Sequence, residues 1–159
     1  MTDSAELGAW VVLVDVYQAV LHDTVSVLED EAGIDSGVYS ALAYLERADP
    51  HGVMPLAELQ TRMYPRYSQS GFSRLVQRME RSGLVQRTKS PDDGRAATVT
   101  VTAAGRRRFR KAEALYVAAV EDAFGRHLDP RASRLVKDAL EQVLARRAGQ
   151  LGAGSSVPK

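Results

Sequence analysis

The chain is 159 residues long, enough for one packed domain and a modest extra element, and its formal net charge at pH 7 is only +1. It has no cysteine, which excludes a disulfide framework and thiolate metal sites, and its three histidines (His22, His51, His127) fall at no metal-ligand spacing. No metal and no other cofactor is expected. The acidic N-terminus lacks the basic-then-apolar order of a secretory signal, and the longest unbroken apolar runs, 9–14 and 114–120, are far shorter than a bilayer span. A soluble cytoplasmic protein with no membrane partner is expected.

Residues 1–9 read as a flexible lead-in. From Trp10 the apolar positions Leu13, Val16, Tyr17, Val20, Leu21, Val27 and Leu28 follow mostly three- and four-residue steps, one face of a long helix that ends near Gly33. Asp35 or Ser36 can cap a second helix carrying Val38, Tyr39, Leu42 and Leu45, which stops at the Asp49-Pro50-His51-Gly52 turn. Pro55 suits the first turn of a short helix with Leu56, Leu59 and Met63. After Ser68 a fourth helix places Phe72, Leu75, Val76 and Met79 on one side and closes at Gly83. Residues 84–89 and 97–101 read as two short strands joined by Ser90-Pro91-Asp92-Asp93-Gly94, a strong turn, so they form a hairpin. Thr102 can cap a long helix to about His127, and Asp129-Pro130 starts another. The tail from Gly149 reads as flexible.

This order predicts a mainly α fold with a small β-hairpin: a winged helix-turn-helix flanked by long N- and C-terminal helices. The expected divisions are a lead-in (1–9), an N-terminal dimerisation helix (10–35), a DNA-binding lobe (36–102), C-terminal dimerisation helices (103–148) and a tail (149–159). The outer helices need a surface for their apolar faces, and a second copy of the chain supplies one.

Charge is distributed unevenly along this frame. Residues 1–61 carry a net −10, residues 62–111 a net +10, and the remainder +1. A strongly basic segment in an otherwise acidic chain is the footprint of a polyanion partner, or else a solvated basic face. The helix after Ser68 sharpens the first reading. Ser68, Gln69, Ser70, Ser73, Arg74, Gln77 and Arg78 are candidate contacts: Ser and Gln exchange hydrogen bonds with base edges or phosphates, and Arg grips guanine bidentately. In the hairpin, Lys89, Asp93, Gly94 and Arg95 form the second candidate site. Arg95 can project into a narrow minor groove, with Asp93 holding it or another arginine in place. The run Arg106-Arg107-Arg108, with Arg110 and Lys111, opposes the dipole of its own helix. Some of these cations can flank DNA and others can pair with the acidic N-terminal helices.

Ser70-Gly71-Phe72-Ser73-Arg74-Leu75-Val76-Gln77-Arg78-Met79-Glu80, Gly83-Leu84-Val85, Arg87, Asp92-Asp93-Gly94-Arg95-Ala96 and Val101-Thr102-Ala103-Ala104-Gly105 together resemble the MarR (multiple antibiotic resistance regulator) family, over about residues 10–148. The resemblance implies a homodimer with interlocked outer helices, bound to an inverted-repeat operator in double-stranded DNA. It also implies a repressor released by a small aromatic or phenolic effector. Without cysteine the family's thiol-redox branch does not apply. Trp10, Tyr17, His22, Tyr39, Tyr44 and Arg66 are candidate pocket residues, since rings and a cation suit an aromatic carboxylate. The turn Met63-Tyr64-Pro65-Arg66-Tyr67 departs from the family pattern; Arg66 can extend a backbone contact, or Tyr64 and Tyr67 can pack inward. A competing reading is a winged-helix module for protein–protein assembly. No nucleophile–base pair, phosphate-binding Gly loop or metal cluster points to an enzyme.

Overall fold

Ser4 starts the first helix, α1 (Ala5–Val27), by accepting a hydrogen bond from the Leu7 N–H at 3.2 Å. The computed structural model describes residues 4–64, 66–89 and 97–153. Residues 5–9, expected in the lead-in, are therefore helical. Ser at the N-cap and Glu6 in the first turn favour a start upstream of Trp10, where the apolar periodicity begins. After Val27 the helix widens into a π-helical turn, Leu28–Ala32, closed by Gly33 in the left-handed region.

The chain divides into two units, Met1–Val120 and Glu121–Lys159. In the first, Asp35 caps α2 (Ser36–Ala48), its Oδ1 accepting from the Gly37 and Val38 amides at 2.9 Å. A three-residue strand, β1 (Val53–Pro55), precedes α3 (Leu56–Met63), so Pro55 ends a strand rather than opening a helix. The helix-turn-helix is completed by α4 (Gln69–Arg81), and the wing by β2 (Val85–Lys89) and β3 (Ala97–Val101). The sheet is antiparallel in the order β1-β3-β2, three strands where a two-stranded hairpin is expected. Pro55, which lacks an N–H, sits on an edge strand opposite Thr98.

One core joins these elements. Leu28, Leu42, Leu45, Met54, Leu59, Leu75, Met79 and Val99 are the largest fully buried apolar side chains, each contributing about 1.5–3 kcal/mol by burial. They come from the π turn, α2, β1, α3, α4 and β3, so α4 and the sheet share one packing unit. Phe109 and Ala112 of α5 (Ala103–Ala123) close that core. Thr102 caps α5 by accepting from the Gly105 N–H at 3.0 Å, and its hydroxyl donates to the Gly83 carbonyl at 2.6 Å. A Cβ at Gly105 would overlap the Leu84 carbonyl, so this helix start tolerates no side chain against the base of the wing.

In the second unit a 3-10 turn, Gly125–His127, follows α5, which thus stops four residues before His127. Asp129 Oδ1 accepts from the Arg131 and Ala132 amides at 2.7 and 2.8 Å and starts α6 (Pro130–Ala153). Residues 149–153, expected in the tail, continue this helix. Ala, Gln and Leu are good helix formers and outweigh Gly149 and Gly152, which cost about 1 kcal/mol each. Residues 154–159 lie outside the described residues.

By length and composition the continuous segment Ala5–Ala32 is apolar enough to cross a bilayer, although unbroken apolar runs indicate no such segment. Its N-terminal part exposes Leu7, Trp10, Val11, Val12, Leu13, Val16 and Tyr17, while its C-terminal end sends Leu28 and Ala32 into the core.

Candidate nucleic-acid interface

The sequence Gln69–Arg81 puts apolar residues at i, i+3, i+4 and i+7, and a helix at 3.6 residues per turn gathers these on one side. Phe72, Leu75, Val76 and Met79 are accordingly buried to 3 % exposure or less. On the opposite side Ser70, Ser73, Arg74, Gln77 and Arg81 are exposed to solvent. Ser68 caps the helix, its hydroxyl accepting from the Gly71 N–H at 3.2 Å, and Gln69 is exposed beside it. The first-turn amides of α4 therefore open beside polar side chains with no acidic residue in that turn.

Glu80, the single carboxylate in α4, faces Arg87 of β2 at 3.5 Å. Arg78 lies on the other flank and meets Asp35 at 2.5 Å. The central stripe between them keeps its positive and neutral donors.

The thirteen cations of residues 62–111 divide into distinct groups. Arg62 pairs with Glu58 at 2.8 Å, and Arg66 donates to the Ser40 hydroxyl at 3.2 Å. Arg106 pairs with Glu46 at 2.8 Å and also bonds the His51 carbonyl. Arg108 donates to the Ala32 carbonyl at 2.9 Å, and Lys111 to that of Glu31 at 2.5 Å. Arg108 and Lys111 thus serve the carbonyl end of the first helix, where unpaired C=O groups and the negative end of the macrodipole meet. This accounts for cations that oppose the dipole of α5: they belong to the end of another helix. Arg74, Arg107 and Arg110 are exposed and pair with no carboxylate among the described residues.

The wing's arms run in register from Val85↔Val101 to Lys89↔Ala97. Asp93, Gly94 and Arg95 lie outside the described residues. Val99 and Val101 point into the core, which orients β3 against α2 and α3, while α4 packs on β2.

The six candidate effector residues are not gathered in one cavity among the described residues. Trp10, Tyr17 and Tyr44 are exposed, and Tyr39 is buried in a stack, 5.8 Å from Phe109 and 4.7 Å from Tyr116 between ring centroids. Burial pushes the Tyr39 hydroxyl up to about 12, with a further rise from the neighbouring Tyr116. His22 borders a shallow surface depression of about 420 Å³ along α1, and Arg66 is held at Ser40. In the turn before α4, Tyr67 packs inward against the core while Tyr64 is 74 % exposed.

Sequence reasoning missed three contributors: β1, the bidirectional role of Thr102, and the pairing of Asp35 with Arg78. The Asp35 cap was legible. Its second oxygen's partner, forty-three residues away, was not.

The family model described as "MarR family" matches residues 32–96, from the end of the first helix to the wing. The transcriptional regulator PrsX of Escherichia coli is 27 % identical over 100 residues, a match covering 61 % of this chain and 58 % of that relative's length. Among solved structures, AbsC, a MarR family transcriptional regulator from Streptomyces coelicolor, superposes with a TM-score of 0.80 at 26 % identity, covering 94 % of this chain and 97 % of that one. Sco3205 from the same organism, solved in complex with DNA, has a TM-score of 0.76 at 24 % identity and covers 89 % and 90 % of the two chains.

Proposed function

Because this chain belongs to the MarR family of winged-helix transcriptional regulators, we propose that it binds double-stranded DNA as a homodimer through α4 and the wing. The observation that carries this reading is the division of α4. Its apolar stripe is buried, and the exposed stripe of Ser70, Ser73, Arg74 and Gln77 has both neighbouring charges, Arg78 and Glu80, drawn off to ion pairs. Such a helix enters a major groove with base-reading donors foremost, while Ser68 and the α4 amides meet phosphate. Lys89 and Arg95 supply backbone and minor-groove contacts from the wing.

The exposed apolar face of α1 is covered by a second copy of the chain. Asp15 and Asp23 on the same helix, and its end anchored in the core, suit a protein partner better than lipid. A two-fold dimer places its recognition helices about 34 Å apart, so the operator is an inverted repeat. Binding represses transcription, and a small aromatic or phenolic effector releases the DNA. A cytoplasmic location and the absence of enzymatic activity accompany this role.

Selection of duplexes from a random pool by the purified protein, followed by a salt titration of the winners, tests the reading. An inverted repeat with affinity falling steeply with salt is expected. Failure to retain any duplex at low salt overturns it in favour of protein–protein assembly.

A further inference from the structure

The N-terminal end of α2, from its cap Asp35 to Ser40, receives three contacts from the segment that carries the recognition helix. Asp35 Oδ2 accepts from Arg78 Nη2 at 2.5 Å while its Oδ1 caps α2. The Ser40 hydroxyl accepts from Arg66 at 3.2 Å and donates to the Ser36 carbonyl at 2.8 Å. Gly37 lies under Tyr67, whose hydroxyl a Cβ at that position would overlap. One short stretch of backbone thus meets α4, the turn before it and the aromatic ring between them.

A surface ion pair alone contributes little, and both Asp35 and Arg78 are partly exposed, at 37 % and 52 %. The Asp35 carboxylate, however, is already oriented by two backbone amides, so it meets Arg78 without further ordering. Arg78 also lies roughly 80° around the helix from Ser70, at the border with Leu75 rather than in the middle of the exposed stripe. Its position and its partner agree.

We propose that Asp35 is a positioning residue for DNA recognition. Its carboxylate holds Arg78 and so sets the angle of α4 on α2, making Arg78 an anchor of the recognition helix rather than a contact to the duplex. This rests on the DNA-binding reading above and assigns a role to a residue outside the helix-turn-helix face.

The test compares Asp35→Asn, Arg78→Ala and the double variant as full-length protein. Asparagine keeps an oxygen for the α2 amides, so the cap survives while the charge is lost. Operator binding is expected to weaken about threefold to tenfold in each single variant, with no further loss in the double, because both remove one interaction. The slope of log affinity against log salt is expected to stay at the wild-type value in Arg78→Ala. A slope shallower by about 0.9, the signature of one lost phosphate contact, overturns the proposal, as does Asp35→Asn binding that is unchanged or tighter. Amide exchange on the DNA-free protein supplies an independent readout. Protection within α4 is expected to fall alike in both single variants, and unchanged protection overturns the proposal. If the wild type retains no duplex, the DNA reading fails by itself, and exchange alone decides whether Asp35 anchors α4.

Discussion

Arg74 lies on the exposed stripe of α4, and no carboxylate among the described residues competes for its guanidinium. Its replacement by alanine is expected to reduce operator affinity by about 1–3 kcal/mol and to relax the preference at one base pair, as loss of a bidentate guanine contact does. Competition binding against operators altered at single positions measures both effects; equal affinity for wild type and variant removes Arg74 from base reading. Ser68 separates folding from binding in a second way. Its hydroxyl caps α4 at the Gly71 amide. Aspartate is as good an N-cap as serine, so Ser68→Asp is expected to leave the thermal midpoint nearly unchanged while a carboxylate beside phosphate lowers DNA affinity at least several-fold. Ser68→Ala costs about 1 kcal/mol of stability in the same melts.

At the level of elements, α5 is joined to α2 through rings. Tyr39 stacks on Phe109 and Tyr116, and burial holds its hydroxyl protonated up to about 12, against an ordinary value of 10.0. The folded state therefore keeps a proton that the unfolded chain releases between these values. The resulting stabilisation is complete below pH 10 and fades as pH rises toward 12. Urea melts at pH 9, 10.5 and 11.5 are expected to show this decline, and Tyr39→Phe to flatten part of it. An identical pH dependence in the variant contradicts the assignment. The same elements account for the wing's placement: Thr102 bonds the Gly83 carbonyl and caps α5, so the hairpin base and the helix leading away from the lobe share one hydroxyl.

At the scale of the whole molecule, the apolar face of α1 is too large to leave in water at no cost: Trp10 and Val12 are each 61 % exposed. Light scattering at micromolar concentration is expected to give twice the mass of the chain. Val12→Glu combined with Val16→Glu is expected to shift that mass toward a single copy and to remove operator binding. A single-copy mass for the wild type counts against the dimer and against the inverted repeat together.

Much of this protein is written locally. The 3.6-residue stripe Phe72, Leu75, Val76, Met79, the caps Asp35, Thr102 and Asp129, and the alternation around Val99 are each short-range preferences, and α2, α4, the strands of the wing and the polar face between the flank charges follow from them. The remaining features are long-range. β1 is three residues with a proline, too short to show a period, and exists because β3 pairs with it. The basic run of α5 has no local reason, yet Arg106, Arg108 and Lys111 find Glu46 and the carbonyls of Ala32 and Glu31. Likewise, nothing near Arg78 in the chain announces Asp35. Backbone preference and apolar period act over a few residues and can be read in order. The partner of a charge depends on which surfaces the packed core brings together.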